Sequence, residues 1–232
     1  MDKLFTSRMP LLRSLTDEAS GELLRSTDPM TVHRGGVIFT TGDVADGVYF
    51  LVKGKVKLSR SFDSTEPGRP AVRESLLRLL GPGSMFGELS ALDGGHRSST
   101  ATAVVETTLA HLPMERLQAL MVRRPEIATG FLKQLASRLR WADLVLSGLA
   151  VNDVGGRIAA TLLYLADALG EPGNGGIVVR HDLTQSELAS MVGATRETVN
   201  RTLTDLATRG IIDNGIRRLT ILDTERLRQR IN

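Results

Sequence analysis

Leu183-Thr-Gln-Ser-Glu-Leu-Ala-Ser-Met-Val-Gly-Ala-Thr-Arg-Glu-Thr-Val-Asn-Arg201 decides the reading of this chain. Thr184 suits an N-cap, and Glu187 follows at capping-box spacing. Leu188, Ala189 and Val192 form the apolar stripe of a short helix. Gly193 supplies the left-handed residue that often ends a helix. Thr195 caps a second helix, on which Thr198, Leu203 and Leu206 sit among exposed polar positions. The stretch therefore predicts a helix-turn-helix.

Arg196, Glu197, Asn200 and Arg201 occupy the first two turns of that second helix. A recognition helix enters the major groove with its N-terminal residues facing base edges. Arginine forks two hydrogen bonds to guanine, and a carboxylate accepts from cytosine N4. Arg196 and Arg201 are thus candidates to read guanine, and Glu197 cytosine. On an arbitrary helix the same residues would be a solvated face with a Glu197–Arg201 pair at i, i+4 spacing. The helix-Gly-helix context favours double-stranded DNA as the partner.

Charge does not make this half a basic block. Residues 152–232 hold ten Arg and ten Asp or Glu, whereas the whole chain has a net charge of +3. Affinity for nucleic acid has to come from where individual arginines are placed.

The 232 residues predict one or two domains, and 41% hydrophobic content is enough for a core. No apolar run approaches the roughly 20 residues that span a bilayer. Met-Asp-Lys-Leu-Phe at the N-terminus does not read as a signal peptide, so a cytoplasmic protein without membrane contact is expected. There is no cysteine, hence no disulfide, thiolate cluster or cysteine nucleophile. His33, His96, His111 and His181 share no ligand spacing, so no metal site is expected. No nucleophile–base set is visible either, and the chain does not read as an enzyme.

Outward from the helix-turn-helix, residues 1–28 read as short helices, with Thr16 capping one of them. From 31 to 113, short apolar runs alternate with glycine turns, as in Val48-Tyr49-Phe50-Leu51-Val52 before Lys53-Gly54. That texture predicts a small antiparallel barrel or sandwich. Polar residues 61–73 are expected to form an extended hairpin loop.

A long helix begins near Pro125. Leu132, Leu139 and Leu146 fall seven apart, as do Leu135, Ala142 and Leu149. Such heptads can be the core stripe of a packed helix or the seam of a two-stranded coiled coil; because the helix joins two compact halves, the seam is favoured and a homodimer is expected. Trp141 is expected to pack the long helix on the strand-rich half of its own chain, with stacking on a bound base as the alternative. Asn152-Asp153-Val154-Gly155-Gly156 breaks the pattern and predicts a hinge. Then come a helix from about Arg157 to Leu169, a Gly-rich loop and a strand over Ile177–Val179. Ile211-Ile212 and Arg218–Leu222 predict a hairpin turning at Asp213-Asn214-Gly215, and Asp223 caps a final helix.

A second constellation lies in the strand-rich half: Phe86-Gly87-Glu88-Leu89-Ser90, then Arg97-Ser98-Ser99. Gly87 allows close backbone approach to a ligand, and Glu88 can bind a sugar hydroxyl. Arg97 offers a planar fork matched to phosphate, with Ser98 adding a hydroxyl donor. Taken alone, it reads equally as a glycine turn beside a surface Glu88–Arg97 pair.

Together the two signals resemble the cyclic AMP receptor protein (CRP/FNR) family of bacterial transcription regulators along nearly the whole chain. The stretch from Asp182 to Arg201 looks closest to GlxR-type members. The resemblance implies an α+β fold: a cyclic-nucleotide-binding β-roll over 1–124, a dimerisation helix over 125–151 and a winged helix-turn-helix over 152–232. It implies cyclic AMP as effector, with Gly87, Glu88 and Leu89 at the ligand, Glu88 on the ribose, and Arg97 and Ser98 on the phosphate. It also implies that Arg196, Glu197 and Arg201 read a TGTGA-like palindrome, and that Thr184 and Thr195 touch DNA phosphate. RNA polymerase is the further partner implied.

One departure is plain. Cyclic-AMP-responsive members of the family offer the adenine a hydroxyl or amide pair from the dimer helix, and the matching positions here are Ala142 and Asp143. Ala142 cannot hydrogen-bond, and Asp143 could only accept. A regulator of this fold that needs no ligand or takes another effector, and a cyclic-nucleotide-binding module of an enzyme, are the rival readings.

Overall fold

A computed structural model describes residues 8–63, 72–151 and 153–231, apart from the side chains at 72, 73, 141 and 144–151. The Trp141, Leu146 and Leu149 side chains therefore lie outside the described set. The chain forms two compact units. One runs to Lys57 and resumes over Leu80–Asp143; the other takes Leu58–Leu79 and everything from Leu144.

The first unit opens with α1 (Pro10–Arg13) and α2 (Asp17–Arg25), the second capped by the Thr16 hydroxyl. Next come β1 (Asp28–Val32), β2 (Val37–Phe39) and β3 (Gly47–Lys53). After the β4–β5 hairpin follow β6 (Met85–Phe86), α3 (Glu88–Asp93), β7 (Thr100–Ala103) and β8 (Thr107–Pro113). The helix α4 (Met114–Arg123) and the part of α5 (Pro125–Val151) up to Asp143 complete the run.

One antiparallel sheet is ordered β1-β8-β3-β6, with Phe50 opposite Ala110 and Val48 opposite Leu112. These four side chains meet Leu11, Leu23, Leu117, Leu120, Ile127 and Phe131 in the core. The start of α5 belongs to this core. A Cβ on Gly130 would stand 2.7 Å from Leu11 Cδ1, so glycine lets helix and α1 touch. Further along α5, Leu132 and Leu139 are each 64% exposed.

β2 pairs with β7, and the roots of the hairpin formed by β4 (Val56–Asp63) and β5 (Val72–Leu80) continue that sheet. The loop expected over 61–73 is therefore too long. Strand structure reaches Asp63 and resumes at Val72, and 64–71 lies outside the described residues.

The second unit carries α6 (Val154–Leu169), β9 (Gly170–Gly173), β10 (Gly176–Arg180), α7 (Gln185–Val192), α8 (Arg196–Thr208), β11 (Ile212–Gly215), β12 (Arg218–Ile221) and α9 (Thr224–Arg228). Its sheet is ordered β11-β12-β10-β9. Three expectations are corrected here. The glycine pair placed in a hinge lies inside the first turn of α6, because Asp153 caps that helix by accepting from Gly156 N at 2.8 Å. The Gly-rich loop is itself a hairpin, with Gly173 opposite Gly176 and the left-handed Gly175 in its turn.

The wing does not turn at Asn214-Gly215. Ile212 faces Ile221 and Asn214 faces Leu219, so the turn falls at Ile216-Arg217. Burial decides this register, since Ile212, Leu219 and Ile221 are each 1% exposed and a one-residue slip would turn them outward.

Candidate functional site

Two sites emerge, one in each unit. In the first, Gly87 joins β6 to α3 at φ +75°, and a Cβ there would meet Arg97 Nη1 at 2.7 Å. Only glycine fits both the left-handed backbone and that contact. Arg97 itself is 2% exposed. Its Nη1 donates to Gly87 O at 2.5 Å and Ser90 Oγ at 3.1 Å. Its Nη2 donates to Asp46 Oδ1 at 2.5 Å and Gly47 O at 2.9 Å. The guanidinium lies over the Phe39 ring, 4.3 Å from its centroid, and its Nε is buried without a partner among the described residues.

Asp46 also accepts from Tyr49 Oη at 2.7 Å, and His111 Nε2 lies 3.6 Å away. Burial pushes the Asp46 carboxyl up, but the hydrogen bonds from Tyr49 and Arg97 outweigh it and hold the group below its ordinary value. The same environment pushes the Tyr49 phenol up, first by burial and then by the neighbouring carboxylate.

Glu88, at the first position of α3, is 2% exposed. Arg138 of α5 binds its Oε1 and also Met85 O. No Glu88–Arg97 pair forms, because each charge has taken another partner. Leu89 is 52% exposed, Ser98 is exposed and Ser99 is buried. Ala142 is half-buried and Asp143 exposed, on the helix that carries Arg138.

Sequence reasoning brought Gly87 and Arg97 together and missed Asp46 and Arg138. Arg97 and Asp46 are 51 residues apart, and no local pattern joins them. Arg138 carried a weak signal, one of two arginines within the leucine seam and the one a helical turn before Ala142.

The second site is the helix-turn-helix. The Thr184 hydroxyl accepts from Glu187 N at 3.2 Å, and Glu187 Oε2 accepts from Thr184 N at 2.9 Å, completing the capping box. Gly193 has φ +69°, and Arg157 of α6 braces the turn by donating to Val192 O and Gly193 O. Thr195 caps α8 by accepting from Thr198 N at 3.2 Å, which leaves Thr198 half-buried. Val199, Leu203 and Leu206 are buried, while Arg196, Glu197, Asn200 and Arg201 face out.

Among the described residues, Arg196 and Arg201 make no ion pair; Glu197 and Arg201 do not join. The Glu197 carboxyl is held below its ordinary value by a bond from its own backbone N–H and by the Thr195 hydroxyl. It is thus an ionised acceptor, as cytosine N4 requires.

The wing adds residues that sequence reasoning passed over. Arg180 of β10 stands directly opposite Arg218 of β12, and Arg217 holds the turn at φ +56°. Arg217 O accepts from His181 N at 3.1 Å and Asp182 N at 3.0 Å, tying the wing tip to the entry of α7. Among the described residues, none of these three arginines makes an ion pair. Like charges placed opposite each other destabilise a sheet and suit an anionic partner. Elsewhere in the unit arginines are neutralised, as in Arg209 and Arg230 on Asp205. Alternating register with a basic strand end was the signal available for Arg180 and Arg218.

Comparison with known proteins matches residues 29–124 to the cyclic nucleotide-binding domain and 156–230 to the Crp-like helix-turn-helix domain. The chain is 39% identical over 230 residues to the CRP-like cAMP-activated global transcriptional regulator of Mycobacterium tuberculosis, covering 99% of each. It is 35% identical over 224 residues to the global nitrogen regulator of Synechococcus elongatus, covering 96% of this chain and 97% of that one. The crystal structure of Thermus thermophilus catabolite activator protein aligns with a TM-score of 0.53 at 35% identity, covering 96% and 98%.

Proposed function

The chain belongs to the CRP/FNR family of DNA-binding transcription regulators and is not an enzyme, and from that premise we propose that it is a homodimer, switched by cyclic AMP, that reads a TGTGA-like palindrome. The observation that carries this reading is the pairing, in one chain, of a buried guanidinium at Arg97 with a capped helix whose Arg196 and Arg201 are exposed and uncommitted. Glu88 takes the ribose, and Arg97 with Ser98 takes the phosphate. Gly87 and Leu89 line that ligand, while Ala142 and Asp143 lie on its base side. Arg196, Glu197 and Arg201 read bases, and Thr184, Thr195 and Thr198 lie along the backbone.

Residues 125–151 form the dimer seam. Leu132 and Leu139 are 64% exposed in the single chain, a waste of apolar surface unless a second copy covers them. Two copies present two recognition helices to two half-sites. The ligand shifts DNA affinity only by the difference between its affinities for the two conformations. RNA polymerase is the protein partner, and the cytoplasm, where DNA and polymerase are met, is the place of action.

A second reading keeps the fold and changes the effector. Ala142 and Asp143 present no hydroxyl or amide to a purine. Fluorescence anisotropy with a labelled TGTGA palindrome, run without ligand and with cyclic AMP or cyclic GMP, separates the two. Tightening by cyclic AMP alone supports the first. Tight binding that no cyclic nucleotide changes supports the second.

A further inference from the structure

Arg97 is a phosphate anchor that is already occupied. A guanidinium has five N–H groups. Four of them are committed here, two on Nη1 and two on Nη2, and only the Nε proton has no acceptor. A phosphate bound by the usual fork takes two parallel N–H bonds. Nε shares an edge of the planar group with Nη2, so the fork that uses the free proton also needs Nη2. Asp46 holds that nitrogen at 2.5 Å.

The other acceptors on Arg97 are not equivalent to Asp46. Gly47 O and Gly87 O are fixed backbone carbonyls, and Ser90 is neutral and 4% exposed. The Asp46 side chain is 56% exposed against 1% for Arg97, so it can turn into water while Arg97 stays. Its other oxygen, Oδ2, already accepts from Tyr49 Oη at 2.7 Å, with His111 Nε2 at 3.6 Å, so the carboxylate stays held when Oδ1 leaves Arg97. Glu88 offers no such exchange, since it is 2% exposed and held by Arg138.

We propose that Asp46 is a resident counter-anion of the effector site, which the phosphate of an incoming ligand displaces from Arg97. Asp46 then sets the affinity threshold. It keeps the guanidinium neutralised until a ligand supplies a better anion, and it remains on Tyr49 beside His111 when that happens. This rests on the reading of the cradle as a cyclic-nucleotide site. The shared chemistry is narrower, a singly or doubly charged phosphate at Arg97.

Asp46→Asn keeps one acceptor oxygen, for Arg97, turns an amide N–H to the Tyr49 hydroxyl, and removes the charge. The full-length variant is expected to bind cyclic AMP at least about fivefold more tightly than the wild type in calorimetry, because a competing anion has gone. Tyr49→Phe removes the partner that holds Asp46 once Arg97 has released it, makes the displaced state costlier, and is expected to bind about twofold more weakly. A folded Asp46→Asn protein with equal or weaker affinity overturns the proposal. If that variant does not fold, Tyr49→Phe decides, and unchanged or tighter binding overturns it. Should neither wild type nor variant bind a cyclic nucleotide, the preceding reading of the effector fails by itself. Thermal unfolding in inorganic phosphate then decides the role of Asp46: a larger upward shift in Asp46→Asn than in wild type supports it, and equal shifts overturn it.

Discussion

Arg138 of the long helix α5 and Glu88 at the start of α3 form an ion pair in which the carboxylate side chain is 2% exposed and the guanidinium 25%. The pair ties the helix with the exposed leucine seam to the cradle, within one unit. Removing one partner leaves a buried charge with nothing to balance it. Arg138→Ala is expected to destabilise the protein by about 3 kcal/mol, the lower end for a buried pair, because Arg138 is partly solvated. The double variant with Glu88→Gln should regain most of that. Urea unfolding of the three proteins checks it, and equal midpoints for single and double variants would count against the pair.

Arg97 is less dispensable than a surface phosphate ligand. Four acceptors converge on it, so Arg97→Ala lowers stability as well as ligand affinity. Arg97→Lys retains the charge and loses the fork. Its cyclic-nucleotide affinity is expected to fall roughly tenfold, the worth of a charge-assisted bond. Calorimetry on the folded variant reads this directly, and unchanged affinity removes Arg97 from the site.

The recognition helix and the wing should fail differently. Arg201→Ala is expected to lose roughly 1–3 kcal/mol on a TGTGA palindrome and to flatten preference at one base pair. Arg217→Ala should weaken binding on every sequence and lower the salt slope by about 1. Anisotropy titrations over a salt series on matched and mismatched sites measure both. A uniform loss for Arg201→Ala would make it a phosphate contact.

The acidity of Glu197 gives a pH window. Its carboxyl lies below the ordinary value because its backbone N–H and Thr195 favour the ionised form. A lowered pKa means that the carboxylate contact is complete above the ordinary value of about 4.3 and is lost only as pH falls through the lower, folded value. Cytosine preference is therefore expected to be flat from pH 8 to about 5. Thr195→Ala should move the decline to higher pH. A preference that fades between pH 7 and 6 in the wild type would contradict this.

Leu139 tests the seam. It is 64% exposed in the single chain, so Leu139→Asp leaves the fold of each unit intact. In a dimer it would put two charges into one apolar interface, at several kcal/mol. Light scattering after size exclusion is expected to show a monomer, and operator binding should drop with the lost effective concentration of the second half. A variant that remains dimeric would falsify the coiled-coil seam.

The order of elements and the helix-turn-helix were written in local sequence. Thr184, Glu187, Gly193 and Thr195 act within four residues of themselves, as caps and a left-handed stop, so their spacing alone states what they do. Leu188, Val192, Leu203 and Leu206 are buried by helical period, which composition and spacing also reveal. The grouping of Gly87 with Arg97 was likewise legible, and the two are hydrogen-bonded.

Tertiary structure decided most of the rest, where the energy lay between residues that are not neighbours in sequence. Asn214-Gly215 has the composition of a hairpin turn, yet the burial of Ile212, Leu219 and Ile221 moved the turn to Ile216-Arg217. Gly155-Gly156 is the exception: it looks like a hinge, yet the local cap from Asp153 makes it the first turn of a helix, a signal the sequence did carry. Glu88 and Arg97 look like partners across a short loop. Their charges were instead settled by Arg138, 50 residues from Glu88, and by Asp46, 51 residues from Arg97. A desolvated charge takes the best-placed counter-charge in space, and sequence order carries no measure of that distance.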